Sequence, residues 1–90
     1  MAKEKRTRIQ LYFDIISAIL QEDEISHTRI QFKCHTSYDK LMKYLDDMEK
    51  RQIIQKNGSI GVTEKGKKFH KDYTKINELI EQVSKQITEA

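Results

Sequence analysis

Ninety residues, 37% of them hydrophobic and 34% charged, make one small globular unit, since a domain takes roughly 100 to 200 residues, and a unit of this size gains stability from a second chain. No apolar run approaches the about 20 residues of a membrane-spanning helix, and the charged start Met1–Arg8 lacks the apolar stretch of a secretory signal. The single cysteine, Cys34, rules out an internal disulfide, and 17 Lys and Arg against 14 Asp and Glu leave a net charge of +3, so a reducing, cytoplasmic setting is expected, with a polyanionic partner permitted but not required.

Proline is absent and the three glycines, Gly58, Gly61 and Gly66, fall close together, so helix is expected to dominate elsewhere. Ile9, Tyr12, Phe13, Ile16, Ile19 and Leu20 form one stripe of a 3.6-residue period and predict a first helix over residues 7–21. After the solvated turn Gln21-Glu-Asp-Glu, Ser26 is a candidate N-cap for a short helix over residues 27–34, with Ile30 and Cys34 on its inner side. Thr36 or Ser37 caps a third helix running to Arg51, with Leu41, Tyr44, Leu45 and Met48 facing inward. Asp39 in its first turn and Lys50 and Arg51 in its last suit the helix dipole.

The period then changes from helix to strand. Residues 53–56 and 59–62 read as two short strands around Asn57-Gly58, a two-residue loop whose type I′ form needs positive φ at both positions. Thr63 ends the hairpin and caps a last helix over residues 64–88. Phe69, Tyr73, Ile76, Ile80, Val83 and Ile87 recur on it at alternating spacings of 4 and 3, the seam of a coiled coil. At 1.5 Å per residue that helix extends about 37 Å, longer than so small a core can cover, so its outer half requires a partner helix.

Three helices, a hairpin and a further helix are the order of a winged helix-turn-helix with a C-terminal extension. The third helix is then the recognition helix, over about Ser37–Arg51, and Lys56-Asn-Gly-Ser the wing tip. The expected organisation is a basic arm over 1–6, a winged-helix unit over 7–68 and a dimerisation helix over 69–90, continuous with it. Charge is polarised along the chain: Lys50–Lys71 holds seven cations and one anion, whereas Ile76–Ala90 has a net charge of −2.

Several short motifs recur in this order and spacing: Arg8-Ile9, Ser26-x-Thr28-Arg29-Ile30, Ser37-Tyr38-x-x-Leu41-x-x-Tyr44-Leu45, Ile53-Ile54, and Thr63-Glu64-Lys65-Gly66-Lys67-x-Phe69. Through them the stretch from Arg6 to Tyr73 resembles the small archaeal winged-helix DNA-binding proteins of the "ten-a" chromatin class and related transcriptional regulators. The resemblance implies a mainly helical winged helix that dimerises through an antiparallel coiled coil of its last helices and binds double-stranded DNA. Two departures bear on local structure. Gln52 stands where relatives commonly have glycine and must accept a left-handed or altered helix end. Gly61 weakens the second wing strand, so a short or mobile wing is expected.

Candidate DNA contacts are Thr36, Ser37, Tyr38, Lys40 and Lys43 on the recognition helix, Thr28 and Arg29 on the second helix, Arg8 on the first, and Lys56, Asn57 and Ser59 on the wing. Asp46 and Asp47 keep the C-terminal half of the recognition helix off a polyanion. That face offers neither Arg nor Asn for bidentate base contacts, so sharp sequence selection is not expected. Lys65, Lys67 and Lys68 oppose the dipole of the last helix, an arrangement that a nearby polyanion relieves. His27, Cys34 and His35 have no metal-ligand spacing, and no phosphate-cradling glycine loop is present, so no metal, cofactor or enzymatic activity is expected. The alternative to DNA binding is a winged-helix protein-interaction module.

Overall fold

Four hydroxyl groups decide where the helices begin. The computed structural model describes residues 6–88 and contains α1 (Arg8–Gln21), α2 (His27–Cys34), α3 (Tyr38–Lys50), β1 (Ile54–Asn57), β2 (Ser59–Val62) and α4 (Glu64–Thr88). Thr7 Oγ1 accepts the Gln10 N–H at 3.1 Å while Gln10 Oε1 accepts the Thr7 N–H at 2.8 Å, a reciprocal capping box. Ser26 Oγ accepts from Arg29 N at 3.1 Å, Ser37 Oγ from Lys40 N at 3.2 Å, and Thr63 Oγ1 from Gly66 N at 3.1 Å. Of the two candidate caps of α3, Ser37 is the one used. Apart from Arg6, the expected basic arm lies outside the described residues.

The core joins α1, α2, α3 and the hairpin through Tyr12, Ile15, Ile16, Ile30, Leu41, Leu45, Met48, Ile54 and Ile60. The inner side of α1 differs from the expected single stripe. Leu11, Ile15 and Ala18 are buried as well, whereas Ile9 and Leu20 are exposed. Helix α1 packs against α2, β2 and α4 together, so more than one of its sides is covered. Tyr12 meets Tyr44 edge to face, with ring centroids 6.0 Å apart.

The wing also departs from expectation. Residue pairs are Ile54–Val62, Gln55–Gly61, Lys56–Ile60 and Asn57–Ser59, so the turn centres on Gly58, the residue there with positive φ (81°). Asn57 keeps negative φ and closes β1 instead of forming half of a type I′ loop. Burial decides this register. As observed, Ile54, Ile60 and Val62 share the face turned to the core; a two-residue loop would pair Gln55 with Ile60 and turn Ile60 outward.

The end of α3 is tied to the start of α4. Gln52 adopts the expected left-handed conformation (φ 63°), its N–H donating to Glu49 O at 2.9 Å and that of Ile53 to Met48 O at 2.9 Å, the pattern of a Schellman ending. Thr63 Oγ1 lies 2.6 Å from Gln52 O and 2.9 Å from Ile53 O, sharing its proton between them, and Lys65 Nζ donates to Arg51 O at 3.0 Å. Gly66 is buried here: a Cβ would collide with the Ile53 carbonyl oxygen and lie 2.8 Å from Val62 Cγ1.

Gln52→Gly is expected to raise stability by about 1 kcal/mol by removing left-handed strain, and Gly66→Ala to lower it by about 2 kcal/mol through overpacking. Urea unfolding checks both, as midpoint shifts at unchanged slope.

Candidate nucleic-acid interface

The two halves of α3 carry opposite electrostatic arrangements. At its C-terminal half, Asp46 Oδ1 accepts from Lys56 Nζ at 2.9 Å, with Glu49 3.7 Å from the same ammonium. Asp47 Oδ2 accepts from Tyr12 Oη at 2.5 Å and from Arg51 Nε at 2.7 Å. The Lys56 hydrogen bond holds the Asp46 carboxyl below the usual range, and those of Tyr12 and Arg51 do the same for Asp47. Burial, reinforced by the Asp47 carboxylate, pushes Tyr12 up to about 12.

The N-terminal half is open. Ser37, Tyr38, Lys40 and Lys43 are exposed, and neither lysine forms an ion pair among the described residues. The Ser37 hydroxyl accepts its capping hydrogen bond and keeps its own proton for another acceptor. Thr36 is half-buried in the turn before it, its N–H donating to Gln31 O at 3.3 Å. That turn is made by His35 in the left-handed conformation (φ 54°), which swings α3 away from α2.

The other expected contact residues are distributed unevenly. Thr28 is exposed on the first turn of α2, whereas Arg29 Nε donates to Glu22 Oε2 at 2.9 Å and thereby holds the Glu22 carboxyl below its usual range. Arg8 is exposed at the start of α1. On the wing, Asn57 Nδ2 donates to Gln55 Oε1 at 3.0 Å and Ser59 is exposed, but Lys56 folds back onto α3 instead of projecting. The cations that begin α4 also find partners within the chain: Lys65 on Arg51 O, Lys67 4.0 Å from Glu64, and Lys68 3.0 Å from Asp72. Arg6 bridges Asp14 (2.8 Å) and Cys34 O (2.6 Å).

Cys34 is a core residue whose thiol is pushed up to about 11 by burial, which makes it a poor nucleophile. Among the described residues no three of His, Cys, Asp and Glu gather as metal ligands. No described helix is long and apolar enough to cross a membrane.

Along α4, Phe69 and Tyr73 are half-buried. Phe13 of α1 stacks on His70 at 4.6 Å and meets Tyr73 at 4.9 Å, while Ser17 Oγ and His70 Nε2 lie 2.9 Å apart. Beyond Thr74 the helix leaves the core, and Ile76, Ile80, Val83 and Ile87 are exposed. Leu79, absent from the expected seam, is exposed beside them; the strict 4-3 alternation passes over it. Ile9, Phe69, Tyr73 and Ile76 line an apolar groove that continues this stripe. Phe32 on α2 was also missed, although its place opposite Ile30 and Cys34 is readable from helical spacing.

A short helix, a left-handed turn, a second helix with an exposed N-terminal end and a two-stranded wing define a winged helix-turn-helix fold. The chain belongs to the winged helix-turn-helix family, whose model matches residues 5–81. Among solved structures it is similar to Sso10a-2, a DNA-binding protein from Sulfolobus solfataricus, at 24% identity over 93% of this chain and 95% of that one, with a TM-score of 0.67. No curated protein matches the sequence. For the fold, the resemblance carried by Ser26–Ile30, Ser37–Leu45 and Thr63–Phe69 therefore holds.

Asp47 binds a proton less readily in the folded chain than in the unfolded one, where a carboxyl near 3.9 is restored. Its stabilising contribution is present above that value and lost as pH falls through the lower folded one. Asp47→Asn is expected to remove this share of acid sensitivity, seen as a smaller loss of thermal midpoint between about pH 5 and pH 3.

Proposed function

We propose that this chain is a homodimeric winged-helix protein that binds double-stranded DNA, with the N-terminal half of α3 in the major groove and the wing alongside. The observation that carries the reading is the split along α3: at one end the Lys40 and Lys43 ammonium groups form no ion pair among the described residues and the Ser37 hydroxyl, which accepts the capping bond, keeps its proton to give, with the exposed Asp39 beside them, while Asp46, Asp47 and Glu49 are engaged by Lys56 and Arg51 at the other. The free donors suit phosphate oxygens, and backbone contacts of this kind give affinity with little base selection. That Sso10a-2 is a DNA-binding protein of similar fold supports the reading. The function is that of a transcriptional regulator or chromatin architectural protein associated with the nucleoid in the cytoplasm, with no catalytic step. Weak base selection favours the architectural role.

The dimer forms through α4. Its exposed apolar stripe needs a helix of matching character, and a second copy supplies one. Charge sets the direction. Lys65, Lys67, Lys68, Lys71 and Lys75 mark the first half of α4, and Glu78 and Glu81 the second, so antiparallel pairing brings opposite charges together and parallel pairing aligns like ones.

Replacing Lys40 and Lys43 together by Gln is expected to weaken duplex binding and to reduce the slope of log K against log salt by about 1 per lysine. An unchanged slope in fluorescence anisotropy would favour the protein-interaction module instead. Ile80→Asp is expected to give monomers in sedimentation equilibrium and lower duplex affinity through lost avidity; a surviving dimer counts against the α4 seam.

A further inference from the structure

Leu79 is a large apolar side chain left 60% exposed on the outer half of α4, beside the seam and not within it. Tyr73, Ile80 and Ile87 hold one core position of the heptad, and Phe69, Ile76 and Val83 the other. Leu79 comes just before Ile80, on one flank of the seam, and Ser84 just after Val83, on the opposite flank. The two directions of self-pairing differ at these flanks. In a parallel pair each flank faces the opposite flank of the partner helix, which sets Leu79 against a serine and leaves it half wetted. In an antiparallel pair each flank faces its own kind, and Leu79 meets the partner's Leu79, so its apolar surface is covered.

The spacings of the seam, 4-3-4-3-4, also read the same in both directions. An antiparallel second copy therefore matches every core position in one register alone: Phe69 opposite Ile87, Tyr73 opposite Val83 and Ile76 opposite Ile80, with the two-fold axis level with Glu78. Sliding the copy by a heptad leaves two of the six core residues without a counterpart. The matched register also brings Leu79 beside the axis, where it can meet its own copy. Two apolar grooves lie along the path of this second helix. Ile9, 55% exposed at the start of α1, borders the first with Phe69, Tyr73 and Ile76; Leu79, Ile80 and Val83 border the second. The first faces the partner's Val83 and the partner's Ile87.

We infer that a second copy of this chain fills both grooves, in antiparallel register about a two-fold axis level with Glu78, so that the partner's Val83 and the partner's Ile87 pack against Ile9 of α1. The inference rests on the dimer proposed above. It adds that the end of each long helix completes the winged unit of the other protomer: the apolar site between α1 and α4 is incomplete in a single chain.

The test is pulsed electron paramagnetic resonance on the full chain, with a nitroxide on one introduced cysteine at a time: Lys71→Cys, Glu78→Cys or Lys85→Cys, exposed positions one heptad apart on the side away from the seam. Cys34 is buried and takes no label, which the unaltered chain checks. At 1.5 Å per residue, labels at 71, and likewise at 85, are offset from their counterparts by about 21 Å along the helix axis, whereas labels at 78 lie level. The expected result is the shortest separation at 78 and two equal, longer ones at 71 and 85. Three equal separations mean a parallel pair, and unequal ones at 71 and 85 mean another register; either overturns this inference and leaves dimerisation through α4 standing. Ile9→Asp, which sets a carboxylate in the first groove, is expected to weaken dimerisation about tenfold in sedimentation equilibrium with an unchanged circular dichroism spectrum. Ile9→Leu is expected to dimerise as the unaltered chain does. Dimerisation unaffected by Ile9→Asp overturns the packing assigned to α1. Absence of any dimer of the unaltered chain overturns this inference and the dimer together.

Discussion

The close approach of Gly66 to the Ile53 carbonyl is the constraint on which the rest of the arrangement depends. No side chain fits between them, so the first turn of α4 sits directly on the chain leaving α3. Thr63 serves both partners at once, capping α4 with its lone pair and donating its proton to the carbonyls of Gln52 and Ile53. Lys65 covers the next orphan carbonyl, that of Arg51. The recognition helix, the wing and the long helix therefore share one small joint. Because short polar contacts fill it on every side, the direction of α4 is set relative to α3.

A second layer of organisation is electrostatic and internal. A modest excess of cations is offset in part by acids of the same chain: Arg6 with Asp14, Arg29 with Glu22, Arg51 with Asp47, Lys56 with Asp46, Lys68 with Asp72. Exposed pairs of this kind add little to stability. Their consequence is selective: among the described residues the lysines of α3 left unmatched are Lys40 and Lys43 toward its start, beside a hydroxyl with a proton to give and the exposed Asp39, and Lys50 at its far end. The position of the start of α3, more than the net charge of +3, gives the molecule a face suited to an anionic partner.

Much of this was legible in the residues. Ser26, Ser37 and Thr63 announce three helix starts because a hydroxyl just before an apolar period has one favourable place to go, and Gln52 was readable as a strained position. The wing register was not, because Asn-Gly favours one loop and the burial of Ile60 another, and only the packed core shows which is stronger. The partner of Lys56 was hidden for a related reason: it lies ten residues away on another element, a relation that local spacing does not contain. On α1, counting a single stripe missed Leu11, Ile15 and Ala18, since a helix enclosed by several neighbours has no single inner side. Phe32 and Leu79 are not marked by the apolar spacing, because both stand outside the apolar pattern of their helices.

The unbroken helix from Glu64 to Thr88 acts as a ruler as well as a joint. In the proposed dimer, two reading heads are held at the ends of a rod whose length changes only in steps. Two turns, or seven residues, keep the apolar side facing its partner and lengthen the rod by about 10 Å. A base pair rises about 3.4 Å, so each step corresponds to about three base pairs. Relatives that gain or lose a heptad in this helix would grip the double helix at a different interval with unaltered heads, and spacing could evolve independently of contact chemistry.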